Sequence, residues 1–143
     1  MRVVGVIAEY NPFHSGHAYH LARAKALARA DYALAIMSGD FVQRGEPAMF
    51  PKKLRAKWAL ENGADLVLSL PAPYSLTSAA GFARGAVGLL HKCGLVDALC
   101  FGSESGDMGL LSAALTAEEG PVRATALREA LKAGQSYPAA CGS

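Results

Sequence analysis

The sequence predicts an α/β fold in which a parallel, Rossmann-like sheet is flanked by helices. Short runs of β-branched and other apolar residues alternate with longer stretches rich in alanine and leucine, which is typical of strand–helix–strand units. Such units are right-handed, so their strands lie parallel and helices cover both faces of the sheet. With 143 residues, of which 52% are hydrophobic, the chain is long enough to bury the core of one such domain.

Strands and helices were assigned from apolar runs and from the residues that end them. The first apolar run ends at the turn-forming pair Asn11-Pro12. The second helix is marked at both ends, by Pro51 at its first position and by Gly63 just past its last. The predicted strands are residues 3–10, 32–38, 65–71 and 97–103, and the predicted helices are residues 17–30, 51–63, 75–94, 108–120 and 122–134.

Composition and charge exclude several classes of protein. The net charge of +2 neither requires nor excludes a nucleic-acid partner. The three cysteines form no CxxC pair and are odd in number, so a reduced, cytoplasmic chain is expected and a disulfide framework is not. The first apolar run is too short for a signal peptide, and Arg84 interrupts the longest apolar stretch, so no membrane segment is predicted.

Three of the four histidines, His14, His17 and His20, lie in the stretch "EYNPFHSGHAYH" directly after the first strand. Parallel α/β sheets bind ligands beyond the carboxyl ends of their strands, so topology places this stretch at the functional edge. First-turn amides of the following helix attract an anion such as phosphate. Gly16 lets the backbone approach the anion closely, with His14 and His17 as flanking donors. A triphosphate there would raise the pKa of a flanking imidazole.

Two other interpretations of the histidines are a metal site and simple packing. His17 and His20 would share a helix face and could chelate a metal. Zinc would need a third ligand such as Cys or Asp, and none lies nearby in the sequence, so no metal site is predicted. His20 is better explained by packing or capping of the helix. The stretch matches neither the dinucleotide-binding nor the P-loop glycine pattern.

The motif "HSGH" at residues 14–17 resembles the HxGH signature of the nucleotidylyltransferase superfamily. The surrounding segments are more specific. "GVIAEYNPFHSGHAYHL", "MSGDFVQRGEPA", "DLVLSLP" and "FGSES", in this order, closely resemble the bacterial tRNA(Met) cytidine acetate ligase family, and the similarity extends to "GQSYPAA" near the end of the chain. The resemblance therefore implies a fold of the HxGH nucleotidylyltransferase type.

This resemblance also implies an activity and its cofactors. Enzymes of the family activate acetate with ATP as acetyl-adenylate and then acetylate N4 of the wobble cytidine of elongator tRNA(Met). His14 and His17 would be the catalytic residues, and Mg²⁺ is expected with the ATP. The ATP contacts implied by the family are Ile7, Ala8, Glu9, Tyr10, Asn11, Pro12, Phe13, His14, Ser15, Gly16, His17, Ala18, Tyr19, His20 and Gly102.

Polar residues near the other strand ends each have two interpretations. Arg44 could clamp pyrophosphate or the tRNA backbone, or be a solvated loop residue. Asp40 could orient a histidine or hold magnesium through water, but is better explained as the start of a turn. Glu104 could bond a ribose hydroxyl or be an ordinary loop carboxylate. The basic group at the start of the second helix could face an anion or be a solvated face, and comprises Lys52, Lys53, Arg55 and Lys57.

The end of the sequence departs from the family pattern. A second ATP motif, a Ser/Thr-rich turn ending in arginine, is expected well after "GQSYPAA". "ATALRE" at 124–129 has a similar shape but precedes that segment, so Thr125 and Arg128 are interpreted as surface positions of an ordinary helix. We expect the chain to be a nucleotidylyltransferase-like domain at 1–143 that is truncated or shortened, with tRNA(Met) bound through regions beyond it. The alternatives are an adenylyltransferase acting on a phosphorylated metabolite, or a catalytically silent nucleotide- or metal-binding module.

Overall fold

The computed structural model describes residues 1–118 and 120–136. Its centre is a four-stranded sheet in the order β3-β2-β1-β4, with every neighbouring pair parallel. The predicted α/β class with a parallel sheet is confirmed. The strands are β1 (Val3–Ala8), β2 (Tyr32–Ser38), β3 (Leu66–Leu70) and β4 (Ala98–Cys100).

Most helices differ from their predicted bounds by one or two residues at the start or the end, and one predicted helix is divided in two. The first begins two residues early because His14, extended at φ −144°, is its N-cap. The predicted helix 75–94 is two helices, since Pro71 caps a four-residue helix and Ser78 caps a new one through a bond from the Gly81 amide. The helices are α1 (Ser15–Ala28), α2 (Lys52–Glu61), α3 (Ala72–Ser75), α4 (Ala79–Cys93), α5 (Met108–Glu118) and α6 (Pro121–Lys132).

Helices cover both faces of the sheet, each over its own hydrophobic cluster. On one face, Leu21 of α1 and Ala59 of α2 pack with Val4 and Val6 of β1. On the other, Leu90 of α4 packs with alternate strand residues, including Val3 and Ile36. Because α1 follows β1, α2 follows β2 and these strands are parallel, the N-terminal ends of both helices lie at the carboxyl edge of the sheet.

The chain divides into two compact units. The first, Met1–Gly102, contains the sheet and α1 to α4, and the second, Ser103–Ser143, contains α5 and α6. Thr125 and Arg128 are exposed on α6, as expected of an ordinary helix. The part of "GQSYPAA" from residue 137 onward lies outside the described residues. Within the described residues, no helix has the length and apolar character needed to cross a membrane.

Candidate active site

The connection from β1 to α1 is built around a buried tyrosine in an unusual backbone conformation. Tyr10 has φ 52°, in the left-handed region, and its side chain is almost fully buried. The peptide bond between Asn11 and Pro12 is cis. The Tyr10 ring lies 5.0 Å from the ring centroids of both Phe13 and His17. The aromatic cluster thus holds the start of α1 against the end of β1.

The two histidines of the HSGH motif are in direct contact. The rings of His14 and His17 stack with centroids 3.7 Å apart and an interplanar angle of 25°. The backbone N–H of His14 donates to Nδ1 of His17 over 3.2 Å. Since Nδ1 accepts this bond, the proton of a neutral His17 must sit on Nε2. The helix start therefore sets the tautomer of His17 and leaves Nε2–H as a donor.

The surroundings of His17 favour its neutral form in the chain alone. Burial, and then the neighbouring His14 and His20, lower the pKa of His17 below its usual value. The predicted rise in the pKa of this imidazole applies when a triphosphate is bound beside it, and it stays a prediction. A neutral imidazole with a fixed Nε2–H can donate one hydrogen bond to a phosphate oxygen.

His20 is half-buried on α1, and its packing role stays a prediction. Burial lowers its pKa, and its Nε2 is buried with no hydrogen-bond partner among the described residues. The hydroxyl of Tyr10 is likewise buried and unpartnered in the part of the chain described, and burial raises its pKa to about 12. These are two unsatisfied polar atoms on the segment predicted to contact ATP.

Gly16 has a second reason to be glycine. A Cβ added there would lie 3.0 Å from Cε1 and 3.1 Å from Nδ1 of His14. The bare backbone therefore makes room for the His14 ring as well as for the close approach of an anion. Gly102, just beyond β4, is exposed and a Cβ there would meet nothing within 4 Å.

Side chains of the β1–α1 segment also hold the loop that follows β2. The Glu9 carboxylate accepts a hydrogen bond from the backbone N–H of Gln43 at 2.6 Å, and the side-chain Oδ1 of Asn11 accepts one from the backbone N–H of Met49 at 2.7 Å. These two predicted ATP contacts thus have structural partners of their own. Arg44 lies in the 3₁₀ turn Gln43–Gly45, and its side chain is outside what the structure describes.

Arg55 fits neither interpretation of the basic group. It is 0% exposed, so it is neither a solvated residue nor one that faces an anion, and the prediction is wrong for this member. Its guanidinium donates to the backbone carbonyls of Glu9, Ser38, Gly39 and Phe50 instead. The sequence offered one signal, because Arg55 lies four residues before Ala59 and therefore shares its buried helix face.

Lys52 and Asp40 are partners. The Asp40 carboxylate accepts a bond from the Lys52 amide at 3.0 Å and forms an ion pair with the Lys52 ammonium at 3.4 Å. The bond from this amide, at the start of α2, lowers the pKa of Asp40. This favours the structural interpretation of Asp40. Lys57 pairs with Glu61 one turn along α2, at 3.7 Å.

An open cleft of about 380 Å³ lies beside the start of α1, and no pattern in the sequence indicates it. Trp58 on α2 forms one wall and packs edge-on against Phe50, with ring centroids 5.1 Å apart. The cleft is lined by Pro12, Phe13, His14, Ser15, Ala18, Trp58 and Asn62. Within the described residues, no group of three or more His, Cys, Asp and Glu side chains could hold a metal ion.

The sheet and the histidine-bearing helix start define a nucleotidyltransferase. A family model described as HIGH Nucleotidyl Transferase matches residues 1–143, and the chain belongs to this family. Among its relatives are proteins named tRNA(Met) cytidine acetate ligase. That of Thermosipho africanus is 51% identical over 140 residues, covering 96% of this chain and 33% of the relative, and that of Acetivibrio thermocellus is 50% identical over 142 residues, covering 98% and 34%.

Solved structures agree with the sequence relatives. Thermotoga maritima TmcAL bound with alpha-thio ATP matches with a TM-score of 0.87 and 48% identity, covering 98% of this chain and 34% of that one. The apo form of the same protein matches equally well. The predicted resemblance to the tRNA(Met) cytidine acetate ligase family is confirmed. The chain spans about a third of the length of the curated relatives it matches.

Proposed function

We propose that this chain is the ATP-binding and acetate-activating part of a tRNA(Met) cytidine acetate ligase. The observation that carries the proposal is the identity of about 50% with proteins of that name over nearly the whole chain. The bound alpha-thio ATP of the Thermotoga maritima protein supports ATP as the nucleotide. The tRNA would be bound largely by the other two thirds of such a protein.

The first chemical step needs positioning more than acid–base chemistry. A carboxylate oxygen of acetate attacks the α-phosphorus of ATP, the bond to the bridging oxygen breaks, and pyrophosphate leaves with that electron pair. Acetate is already ionised at neutral pH, so no general base is required. The barrier depends on in-line placement and on donors for the phosphate oxygens.

In this proposal the start of α1 supplies those donors. Nε2–H of His17 is free to donate because Nδ1 accepts the His14 amide. The exposed first-turn amides around Ser15 and Gly16 add backbone donors and the positive end of the helix dipole. His14, exposed and stacked on His17, would donate from the other side. These residues form the catalytic part of the predicted ATP segment, residues 7–20.

Gly102, Lys52 and Mg²⁺ would each take part in nucleotide binding in a different way. Gly102 would let ribose or adenine approach bare backbone. Lys52 would have to exchange its ion pair with Asp40 for a phosphate. Mg²⁺ prefers a few carboxylates together with substrate phosphates, and the described residues offer no acidic cluster for it, so it would enter with ATP.

The test is acetate-dependent exchange of labelled pyrophosphate into ATP, preceded by calorimetric titration of the chain with ATP. We expect ATP binding, exchange that requires acetate, and loss of both on His17→Ala. His91→Ala, on the exposed end of α4, is the matched control and should change neither. Exchange with 4′-phosphopantetheine instead of acetate would assign the chain to the adenylyltransferases. Binding without exchange would leave a nucleotide-binding module.

A further inference from the structure

Arg55 is a buried cation whose partners are backbone carbonyls and, at 3.4 Å from Nη1, the Ser38 hydroxyl. Nε donates to Phe50 O at 2.9 Å and Nη1 to Glu9 O at 2.6 Å. Nη2 donates to the carbonyls of Ser38 and Gly39. Among the described residues, no carboxylate forms an ion pair with it. Burying a guanidinium is costly unless its donors are satisfied, and here each nitrogen has an acceptor.

The carbonyls come from three separate places at the carboxyl edge of the sheet. Glu9 follows the end of β1, Ser38 is the last residue of β2 and Gly39 comes directly after it, and Phe50 precedes α2. Unbonded carbonyl oxygens here would repel a polyphosphate, whereas the guanidinium engages them and adds a permanent positive charge.

A direct path leads from Arg55 to the histidines. The Glu9 carbonyl belongs to the peptide bond that enters Tyr10, whose left-handed backbone turns the chain towards α1. The Tyr10 ring then packs edge-on against His17 at 5.0 Å. Any rotation of this peptide would move the Tyr10 ring and, through it, the imidazole of His17.

We propose that Arg55 is a positioning residue of the nucleotide site. Its planar guanidinium fixes the end of β1 against the end of β2, and this geometry holds His17 with Nε2–H towards the phosphates. The identity of the ligand as ATP rests on the proposed function. The coupling between Arg55 and His17 rests only on the contacts described above. Lysine cannot replace arginine here, because a single ammonium cannot span acceptors that surround a planar fork.

The test compares Arg55→Lys with Leu90→Ala, a core variant on the opposite face of the sheet. Both are studied at a temperature where circular dichroism shows them folded. Nitrogen-15 NMR of the His17 ring reports its tautomer, and calorimetry gives the Kd for ATP. We expect Arg55→Lys to populate both tautomers and to raise the Kd about tenfold or more. Leu90→Ala should keep the Nε2–H tautomer and the wild-type Kd.

The NMR and calorimetry results on these variants can overturn the positioning role of Arg55 in two ways. A folded Arg55→Lys variant with an unchanged His17 tautomer would overturn the proposal, whatever its affinity for ATP. Equal changes in both variants would reduce Arg55 to general stability and would also overturn it. If the wild-type chain does not bind ATP, the proposed function fails, while the tautomer measurement still tests the positioning role.

Discussion

Substitution of Gly16 by alanine should separate the stability of α1 from the function of its N-terminal end. Alanine favours a helix over glycine by up to about 1 kcal/mol. Against this, the new Cβ would lie 3.0 Å from the His14 ring, which must move by a few tenths of an ångström. An off-rotamer shift of that kind costs roughly 0.5–1.5 kcal/mol. The two effects nearly cancel, so the free energy of unfolding should change by less than about 1 kcal/mol.

Nucleotide binding should respond very differently. The added methyl group covers the bare backbone at the second position of α1 and displaces a stacked imidazole from the same place. We expect the Kd for ATP to rise at least about tenfold, equivalent to about 1.4 kcal/mol. Thermal unfolding and calorimetric titration of one preparation measure both quantities.

Gly88→Ala is the matched control, since Gly88 lies within α4 and a Cβ there meets nothing within 4 Å. It should stabilise the chain by up to about 1 kcal/mol and leave ATP affinity unchanged. If Gly16→Ala also gains stability and binds ATP as the wild type does, then neither the stacked position of His14 nor the bare helix start contributes to binding, and the reasoning is refuted.

Three further predictions concern pH, capping and the end of β4. The pKa values of His17 and His20 are lowered in the folded state, so their contribution to stability is complete above the unfolded value near 6.5 and is lost as the pH falls through the folded values. The melting temperature should therefore fall between pH 7.5 and pH 5.5, and it should fall less in His20→Gln. If the two proteins show the same dependence of melting temperature on pH, His20 does not contribute to it. Ser78→Ala should cost about 1 kcal/mol because the Gly81 amide loses its acceptor at the start of α4, whereas Ser78→Asn should retain most of the stability in chemical denaturation. Gly102→Ala should leave the melting temperature unchanged, since the added Cβ meets no atom, but weaken ATP binding; unchanged affinity would remove Gly102 from the site.

Much of the fold could be predicted from periodicity and turn residues. β2 lies at the predicted residues, because its apolar run is bounded by polar residues on both sides. β1 ends at Ala8, two residues before the predicted end, because Tyr10 adopts a left-handed backbone that is rare for tyrosine. A tertiary cluster stabilises this conformation, and no local pattern indicates it.

The candidate site was predicted in part. The position of His14 and His17 at a strand end followed from topology, but the bond from the His14 amide to the His17 ring depends on a helix start that lay two residues from its predicted place. The burial of Arg55 is not indicated by its place in a run of basic residues, because such runs usually lie in solvent. Its burial depends on three chain segments that come into contact only in the folded state, and the spacing of residues in the sequence does not indicate this contact.

The hydrogen bond from the His14 amide to His17 has a thermodynamic consequence. Fraying of the first turn of α1 would break this bond and release the choice of tautomer, so helix formation and preparation of the donor are one equilibrium. A polyphosphate that binds only the ordered turn must stabilise it by mass action. The affinity for such a ligand then scales with the fraction of molecules in which this turn is ordered, so a change that lowers that fraction lowers the affinity in proportion.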